Sequence, residues 1–354
     1  MLKPISLLSK KLNMNQKNLN ALNKIHKNLL NYLKDQKINQ IYKKFELSLA
    51  KGKNFIVAVS GGPDSLALAF FAKIYSIKHK TDCKFFVIDH RLRKESQEEA
   101  KIVKKKLNES LINLQVLRWN GKKPKKNIQS IARKKRYALL LEQCSKYKIN
   151  NILLGHHYDD LIENFLIRLT RGSGLNGLVS FSKKTTLNDV NLLRPLINIS
   201  KKDLIYTSKK VFNFYVIDPS NQNEEFKRVR IRNLIENFEK EGLDKDKFLL
   251  TVKNLQESNS SIKFYVEKNL NQNSFFSKKN KQVILNSNFF KQSDEVMFRS
   301  FSIVLNLVNK KYYPSRGKKL KYVIDKLLEN DDVKITLGGC VIQKINQTVF
   351  LIKE

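Results

Sequence analysis

The sequence predicts an α/β protein: a parallel-sheet, Rossmann-like domain followed by a smaller, mainly helical C-terminal domain. Three observations lead there. Short apolar runs alternate with stretches of helical periodicity from residue 54 to residue 218. The first run opens directly into a glycine-rich turn, SGGPDS at residues 60–65. From about Glu236 the alternation gives way to a Lys-rich stretch of helical character, ending in the turn LGGC and the strand-like VFLIKE. At 354 residues the chain exceeds what one hydrophobic core usually serves. The expected division is a Lys/Asn-rich N-terminal extension over residues 1–50, the α/β domain over 51–235 and the C-terminal domain over 236–354.

Each element follows from its pattern. In the extension, Leu22, Ile25, Leu29, Leu30 and Leu33 recur at helical spacing, which predicts one amphipathic helix. NFIVAV is a buried strand, SGGPDS a tight turn and LALAFFAKIY the helix after it. CKFFVID then precedes the helical EEAKIVKKKL, and LQVLRW precedes IQSIARKKRYALLLEQC. NILLGHH leads into DDLIENFLIRLTR, and FYVID closes the series as a last strand. Strands alternating with helices imply right-handed crossovers and a parallel sheet covered on both faces.

Composition narrows the partners. Lys and Arg number 68 against 32 Asp and Glu, a net charge of +36, and the pI is near 10.0. Such a field attracts polyanions, so a nucleic-acid partner is the leading expectation. The chain is crowded with Lys, Asn and Ile, a bias a coding sequence can impose. That bias gives no reason for acids to be outnumbered. The three cysteines, Cys83, Cys144 and Cys340, form no CxxC pair, which disfavours a disulfide scaffold and a cysteine zinc site. MLKPISLLSKKLNMNQKN lacks a cleavable signal pattern, and no run of about eighteen apolar residues occurs. A soluble, cytoplasmic protein with no membrane partner is expected.

The chemistry concentrates in two places. In SGGPDS, Gly61 and Gly62 let the backbone close around an anion, and the helix N-terminus supplies a positive pole for phosphate. Ser60 and Ser65 add hydroxyls, Pro63 opens the helix, and Asp64 is placed for a metal ion bridging the phosphates. No Lys-Ser or Lys-Thr follows the glycines, so this is not a Walker A loop. In GHHYDDLIENFLIRLTRGSGLNGL, residues 155–178, Asp159, Asp160 and Glu163 share one helix face behind two histidines, an arrangement suited to a substrate ammonium. An acidic first turn is also ordinary helix-dipole chemistry. Gly172, Gly174 and Gly177 spell GxGxxG, but they follow a helix and open no βαβ unit, so an NAD site is rejected.

SGGPDS resembles the PP-loop of the N-type ATP pyrophosphatases, which cleave ATP between the α- and β-phosphates and activate an oxygen by adenylation. The loop alone is shared by GMP, asparagine and NAD synthetases, tRNA thiolases and lysidine synthetases. An ordered set of further segments resembles the lysidine synthetase family. These are VIDHRLRKESQEEA (87–100), IARKKRYALL (131–140), the 155–178 segment, RPL (194–196) and DPSN (218–221). The resemblance runs from about Asn54 to Arg232, with LGGC a looser match. Asn164 and Val229 depart from the usual threonine and asparagine. Asn164 keeps hydrogen-bonding capacity, whereas Val229 does not, which weakens the carry-over to the neighbouring arginines.

The resemblance implies ATP and Mg²⁺ as cofactors and free L-lysine and a tRNA(Ile) with CAU anticodon as partners. Ser60, Gly61, Gly62, Pro63, Asp64 and Ser65 would grip pyrophosphate, with Asp64 on the metal. Asp89 and His90 would edge the nucleotide, Arg136 would contact it and His156 would lie near the reaction centre. Asp160 and Glu163 would hold lysine, while His157 remains open to a structural role. Arg194, Arg228, Arg230 and Arg232 would touch tRNA; apart from the resemblance, the Lys-rich C-terminal region is the candidate second contact surface, with Lys318, Lys319 and Lys321 near RNA phosphates. The implied reaction adenylates the wobble cytidine and then replaces AMP by the lysine ε-amine. The alternatives are a PP-loop tRNA thiolase, against which the isolated cysteines speak, and a non-catalytic basic RNA-binding protein. A homodimer is compatible with the sequence and not specified by it.

Overall fold

The computed structural model describes residues 24–91, 95–119, 121, 128–218, 223–277, 282–309 and 317–354. Leu22, the Leu92–Arg93 pair and the 219–221 part of DPSN lie outside the described residues. The chain forms two compact units, Met1–Lys245 and Asp246–Glu354.

The first unit is built on a six-stranded sheet in the order β3-β2-β1-β4-β6-β5. Its strands are β1 (Phe55–Val59), β2 (Cys83–Asp89), β3 (Leu114–Arg118), β4 (Asn151–Leu153), β5 (Lys184–Leu187) and β6 (Val190–Leu193). β1 is central, with Val57 opposite Phe85 on one side and Leu153 on the other, both parallel. Only β5 runs antiparallel, paired with β6 in a hairpin that the alternation pattern did not signal. Its sequence, KTTL, has one apolar residue in four, which is too weak a strand signal to read.

Six helices connect or flank these strands: α1 (Gln36–Glu46), α2 (Pro63–His79), α3 (Ser96–Glu109), α4 (Ile128–Tyr147), α5 (Tyr158–Leu169) and α7 (Lys201–Phe212), with a short turn of helix, α6 (Leu175–Leu178), between the last two. α2 is buried without interruption from Ser65 to Ala72, as its almost wholly apolar sequence dictates. α1 lies within the expected extension, yet Ile38, Ile41, Tyr42 and Phe45 enter the main core, where Phe45 stacks 5.6 Å from Phe71. Residues 24–31 are also helical, and Leu29 reaches the same core. α7 packs along α2, and the Ser208 hydroxyl donates to the Pro63 carbonyl at 2.6 Å.

FYVID is not a strand. Residues 214–218 make no ladder; instead the Val216 N–H donates to the Gly61 carbonyl at 2.9 Å, so the segment lies against the glycine turn. α8 (Lys227–Lys240) then runs unbroken past residue 236, burying Val229, Ile231 and Ile235 and packing on α5. The unit therefore ends at Lys245, later than the expected 235.

The second unit holds α9 (Lys245–Asn273), α10 (Asp294–Asn309) and α11 (Gly317–Glu329), and is mainly helical. It also carries a five-stranded antiparallel sheet in the order β7-β8-β11-β10-β9. β7 (Ser274–Ser277), β8 (Gln282–Leu285), β9 (Asp332–Leu337) and β10 (Cys340–Ile345) join β11 (Thr348–Lys353), which contains most of the VFLIKE run. The LGGC turn links β9 to β10, with Gly338 at φ 67° and Gly339 at φ 85°, a tight hairpin whose left-handed backbone glycine adopts readily. Among the described residues no helix is long and apolar enough to cross a membrane.

Phe45→Ala tests the place of α1. A fully buried phenylalanine removed from a core costs about 3–5 kcal/mol. Denaturant unfolding of the first unit is expected to show a loss of that size, whereas a peripheral extension would lose well under about 1 kcal/mol.

Candidate active site

In the strand order, β2 and β3 lie to one side of β1 and β4 and β6 to the other. The chain thus leaves the sheet in opposite directions after β1 and after β4. Open α/β sheets bind ligands at such a switch point, beyond the carboxyl ends of the strands. The two loops that meet there are 60–65 and 154–157. Gly155 is the point of contact, since a Cβ on it would lie 3.3 Å from the Ser65 backbone.

Gly61 takes φ +91°, and a Cβ there would meet Val103 Cγ2 at 2.7 Å, so only glycine fits the turn. The Ser65 hydroxyl turns back under the loop. It accepts from the Ser60 and Gly61 N–H groups at 3.0 and 3.1 Å and donates to the Gly62 carbonyl at 2.9 Å. Ser65 is therefore buried as the loop's fastener and not turned outward as a phosphate donor. Gly62 caps α2 without a side chain and Pro63 follows it, leaving the first-turn N–H groups as a cradle for an anion.

Asp64 stands beside that cradle. His157 Nε2 lies 3.6 Å from the Asp64 carboxylate and 3.6 Å from that of Asp160, bridging the two loops. His157 also caps α5: its N–H donates to Asp160 Oδ2 at 3.1 Å, and in the neutral ring Nδ1 accepts from the Asp159 N–H at 3.2 Å. Burial opposes its protonation, but the Asp159 contact and the charges of Asp160 and Asp64 outweigh burial and raise its pKa. In the protonated ring Nδ1 donates to the Asp159 carboxylate, 3.4 Å away. Asp64 is pushed up, by burial above all and by Asp160, against the pull of His157. For Asp160 the burial penalty is outweighed by the two neighbouring histidines, which hold its pKa down.

Glu163 is 2% exposed, and Arg232 of α8 binds its carboxylate through both Nε and Nη2, the latter at 3.3 Å. Burial raises the Glu163 pKa, and Arg232 opposes it. Asp159 faces elsewhere. It accepts from the Lys201 N–H at 3.2 Å and the Lys245 ammonium at 3.0 Å, tying α5 to α7 and to the end of the unit.

On the other side of β1, Asp89 is buried, with Oδ1 accepting from the Arg91 N–H and the Ser96 hydroxyl, both at 2.9 Å. His90 Nε2 accepts from Arg136 Nε at 3.4 Å; burial and that guanidinium push the His90 pKa down to about 4. His156 packs edge-on against Phe181, 5.2 Å between rings, and Arg194 lies over the same ring at 4.7 Å. Burial pushes the His156 pKa down to about 3, with Arg194 adding to it, so the imidazole is neutral. Asp64 Oδ1, Asp89 Oδ2, His90 Nδ1, His156 Nδ1 and Arg194 Nε are all buried without a hydrogen-bond partner. Unsatisfied atoms are rare in folded interiors, and these five lie just beyond the carboxyl ends of the strands, where polar groups of a ligand could satisfy them. Asp64 Oδ1 suits Mg²⁺, which takes one or two carboxylates and completes its shell with phosphate oxygens and water.

Arg194 and Arg232 depart from the expected tRNA-facing arrangement, whereas Arg230 is exposed. Arg194 is 4% exposed, donating to the Ser182 carbonyl at 2.8 Å and the Thr185 hydroxyl at 3.2 Å, so it anchors the β5 hairpin. Arg232 is committed to Glu163, and Arg230 donates to the carbonyls of Glu224 and Glu225. Arg228 is exposed, as are Lys318, Lys319 and Lys321 on α11. Gly172 and Gly174 lie between α5 and α6, and Gly177 lies within α6. The bridging place of His157 and the aromatic partner Phe181 were missed. The adjacency of His157 to two acids along one helix was the only signal for the first, and Phe181 gave none.

Fold and site together define a PP-loop α/β domain, and residues 30–238 match the family described as a PP-loop domain. The chain belongs to the tRNA(Ile)-lysidine synthase family. It is 34% identical over 307 residues to the tRNA(Ile)-lysidine synthase of Wolbachia sp. subsp. Brugia malayi, covering 84% of this chain and 70% of the relative. It is 33% identical over 311 residues to that of Orientia tsutsugamushi, covering 84% and 69%. A solved U34-tRNA thiolase from Methanococcus maripaludis shares the fold, with TM-score 0.54 and 18% identity over 63% of this chain and 81% of that one.

The opposite displacement of the two adjacent histidines is measurable. In a pH titration followed by histidine side-chain NMR, His157 is expected to release its proton above the ordinary 6.5. His156 stays neutral across the same range, down to about pH 5. Two rings titrating together near 6.5 would contradict the geometry described.

Proposed function

We propose that this protein joins free L-lysine to C2 of the wobble cytidine of a tRNA(Ile) with CAU anticodon, converting ATP to AMP and pyrophosphate. One observation carries the reading. Partnerless buried polar atoms gather at the switch point, beside an anion cradle and a carboxylate cluster. An enzyme that brings an anionic nucleotide to a cationic amine requires both sides of that arrangement.

In the first step the cytidine O2 attacks the α-phosphate of ATP and the bond to pyrophosphate breaks, leaving an adenylated base. The Gly61–Ser65 backbone and the N-terminus of α2 take up the charge that develops on pyrophosphate. Mg²⁺, when bound with the nucleotide, supplies further charge neutralisation, and Asp64 is the residue that would hold it. Arg136 and His90 line the nucleotide's edge, with Asp89 beneath them. In the second step the lysine ε-amine attacks C2 and AMP departs. Asp160 and Glu163 hold the ammonium head of lysine. Its ε-amine, with a free pKa of about 10.4, must shed a proton before attack, and the desolvated pocket lowers that requirement. His156 is too weak a base to keep that proton, but its neutral ring offers an acceptor nitrogen that orients the amine.

The target lies in a loop, where splaying a base out costs little stacking. A CAU anticodon also occurs in methionine tRNA, so selection requires contacts beyond the anticodon. Arg228 and the exposed Lys318, Lys319 and Lys321 are the proposed phosphate contacts, which position without reading sequence. Cys83, Cys144 and Cys340 are each isolated in the chain and two of them are buried, which disfavours the thiolase alternative. The work belongs in the cytoplasm, where tRNA, ATP and lysine are all available.

Asp64→Ala tests the first step. tRNA-dependent ATP–pyrophosphate exchange is expected to fall by at least about a thousandfold, the loss that several kcal/mol of charge stabilisation implies. Exchange within about tenfold of wild type would remove Asp64 from the mechanism.

A further inference from the structure

A coding bias toward lysine acts on every surface alike, yet it does not decide where the acids stand. Among the described residues 24–46 and 201–213, every exposed charged side chain is a lysine. The three carboxylates of these segments are partly buried and held. Asp35 accepts from the Tyr206 hydroxyl at 2.7 Å, Asp203 pairs with Lys37 at 2.9 Å, and Glu46 lies 2.8 Å from both the Tyr42 hydroxyl and His79 Nε2. On other helices exposed lysines pair with acids of the same helix, as Lys101 does with Glu98 on α3 and Lys326 with Glu329 on α11.

α1 and α7 present one continuous surface. The Tyr206–Asp35 bond, the Lys37–Asp203 pair and the Lys37 ammonium, 4.9 Å from the centre of the Tyr206 ring, clamp the two helices together. Lys37 and Lys44 stand about 10 Å apart along α1, and Lys202 and Lys209 are spaced equally along α7. The cations are strung out and do not converge on one small anion. Asn28, Asn31, Gln36 and Gln40 add neutral hydrogen-bonding groups, and no large apolar side chain of these described residues is exposed. Such a face suits a phosphate backbone and not a lipid surface, which takes apolar residues beside the cations. None of these side chains belongs to the switch-point site.

We propose that the joined α1–α7 face is a separate RNA-binding surface, which holds the phosphate backbone of helical RNA without reading its sequence. The choice of RNA rests on the reading of the substrate as a tRNA. Lysines placed along two clamped helices touch successive phosphates, and each contact releases counterions, so binding through the face falls steeply with salt.

The test titrates the full chain, without ATP or lysine, against a fluorescent RNA hairpin that contains no CAU, over a range of salt. Lys34, Lys43, Lys44 and Lys209 are changed together to Gln. Affinity for the hairpin is expected to fall by about tenfold or more, and the slope of log K against log salt by about three to four, near one for each lysine. The same loss of charge on α3, with Lys101, Lys104, Lys105 and Lys106 changed to Gln, is expected to alter the slope by less than about one. Arg at the four α1–α7 positions keeps the charge and is expected to bind as wild type does, which tells lost charge from lost fold. Wild type that does not bind the hairpin overturns the proposal, as does an unaltered slope in the α1–α7 glutamine variant or an equal loss in the α3 variant. A glutamine variant that keeps the hairpin but loses phosphatidylglycerol vesicles overturns it in favour of a membrane. Because no product is measured, a protein that binds the hairpin through this face but forms no lysidine upholds the proposal and sinks only the reading of the reaction.

Discussion

The site depends on a single histidine holding two carboxylates from opposite sides of the switch point. His157 stands between Asp64, delivered by the first βα joint, and Asp160, delivered by the fourth. Buried acids without a counter-charge would protonate or repel one another. These carboxylates raise the His157 pKa, and the ring supplies the counter-charge between them when it is protonated. The same ring caps α5, so the position of that helix and the charge state of the pocket are fixed by one side chain. Gly155 brings its loop against the Ser65 backbone, and Gly61 lets the first loop turn under Val103 and Val216.

The charge distribution serves two ligands of opposite sign. The chain carries +36 overall, a field that draws a polyanion to its surface from a distance. At the switch point Asp64, Asp160 and Glu163 stand among cationic groups, with His157 beside the first two and Arg232 on the third. Long-range steering falls to the net charge of the chain, whereas local recognition falls to acids and bases set side by side at the switch point.

Much of this was legible in the sequence, for physical reasons. β1, the glycine turn and α2 could be read because a buried parallel strand is a continuous apolar run and a phosphate turn needs glycine. The acidic face of α5 followed from helical spacing. What escaped depends on contacts between distant segments. FYVID has a strand's composition but meets only the Gly61 carbonyl, and nothing local distinguishes one hydrogen bond from a ladder. α1 looked peripheral because its lysines dominate the composition, though its apolar stripe fills the core. Arg194 and Arg232 were expected to touch tRNA because the family resemblance implies it. Burial under the β5 hairpin and pairing with Glu163 are set by the fold alone. Ser65 was given the right place and the wrong direction.

Lysidine formation requires a nucleotide, a loop cytidine and an amino acid to meet at the switch point. The most direct measurement supplies the purified protein with ATP, Mg²⁺, isotopically labelled lysine and, in separate reactions, CAU-anticodon tRNA(Ile) and tRNA(Met). The tRNAs are then digested and their nucleosides identified by mass spectrometry. The account predicts labelled lysine attached to the wobble cytidine of tRNA(Ile) only, with one AMP released for each lysine incorporated. ATP-dependent binding of tRNA(Ile) that leaves the wobble cytidine unmodified, or a sulfur at that base in place of lysine, would contradict it.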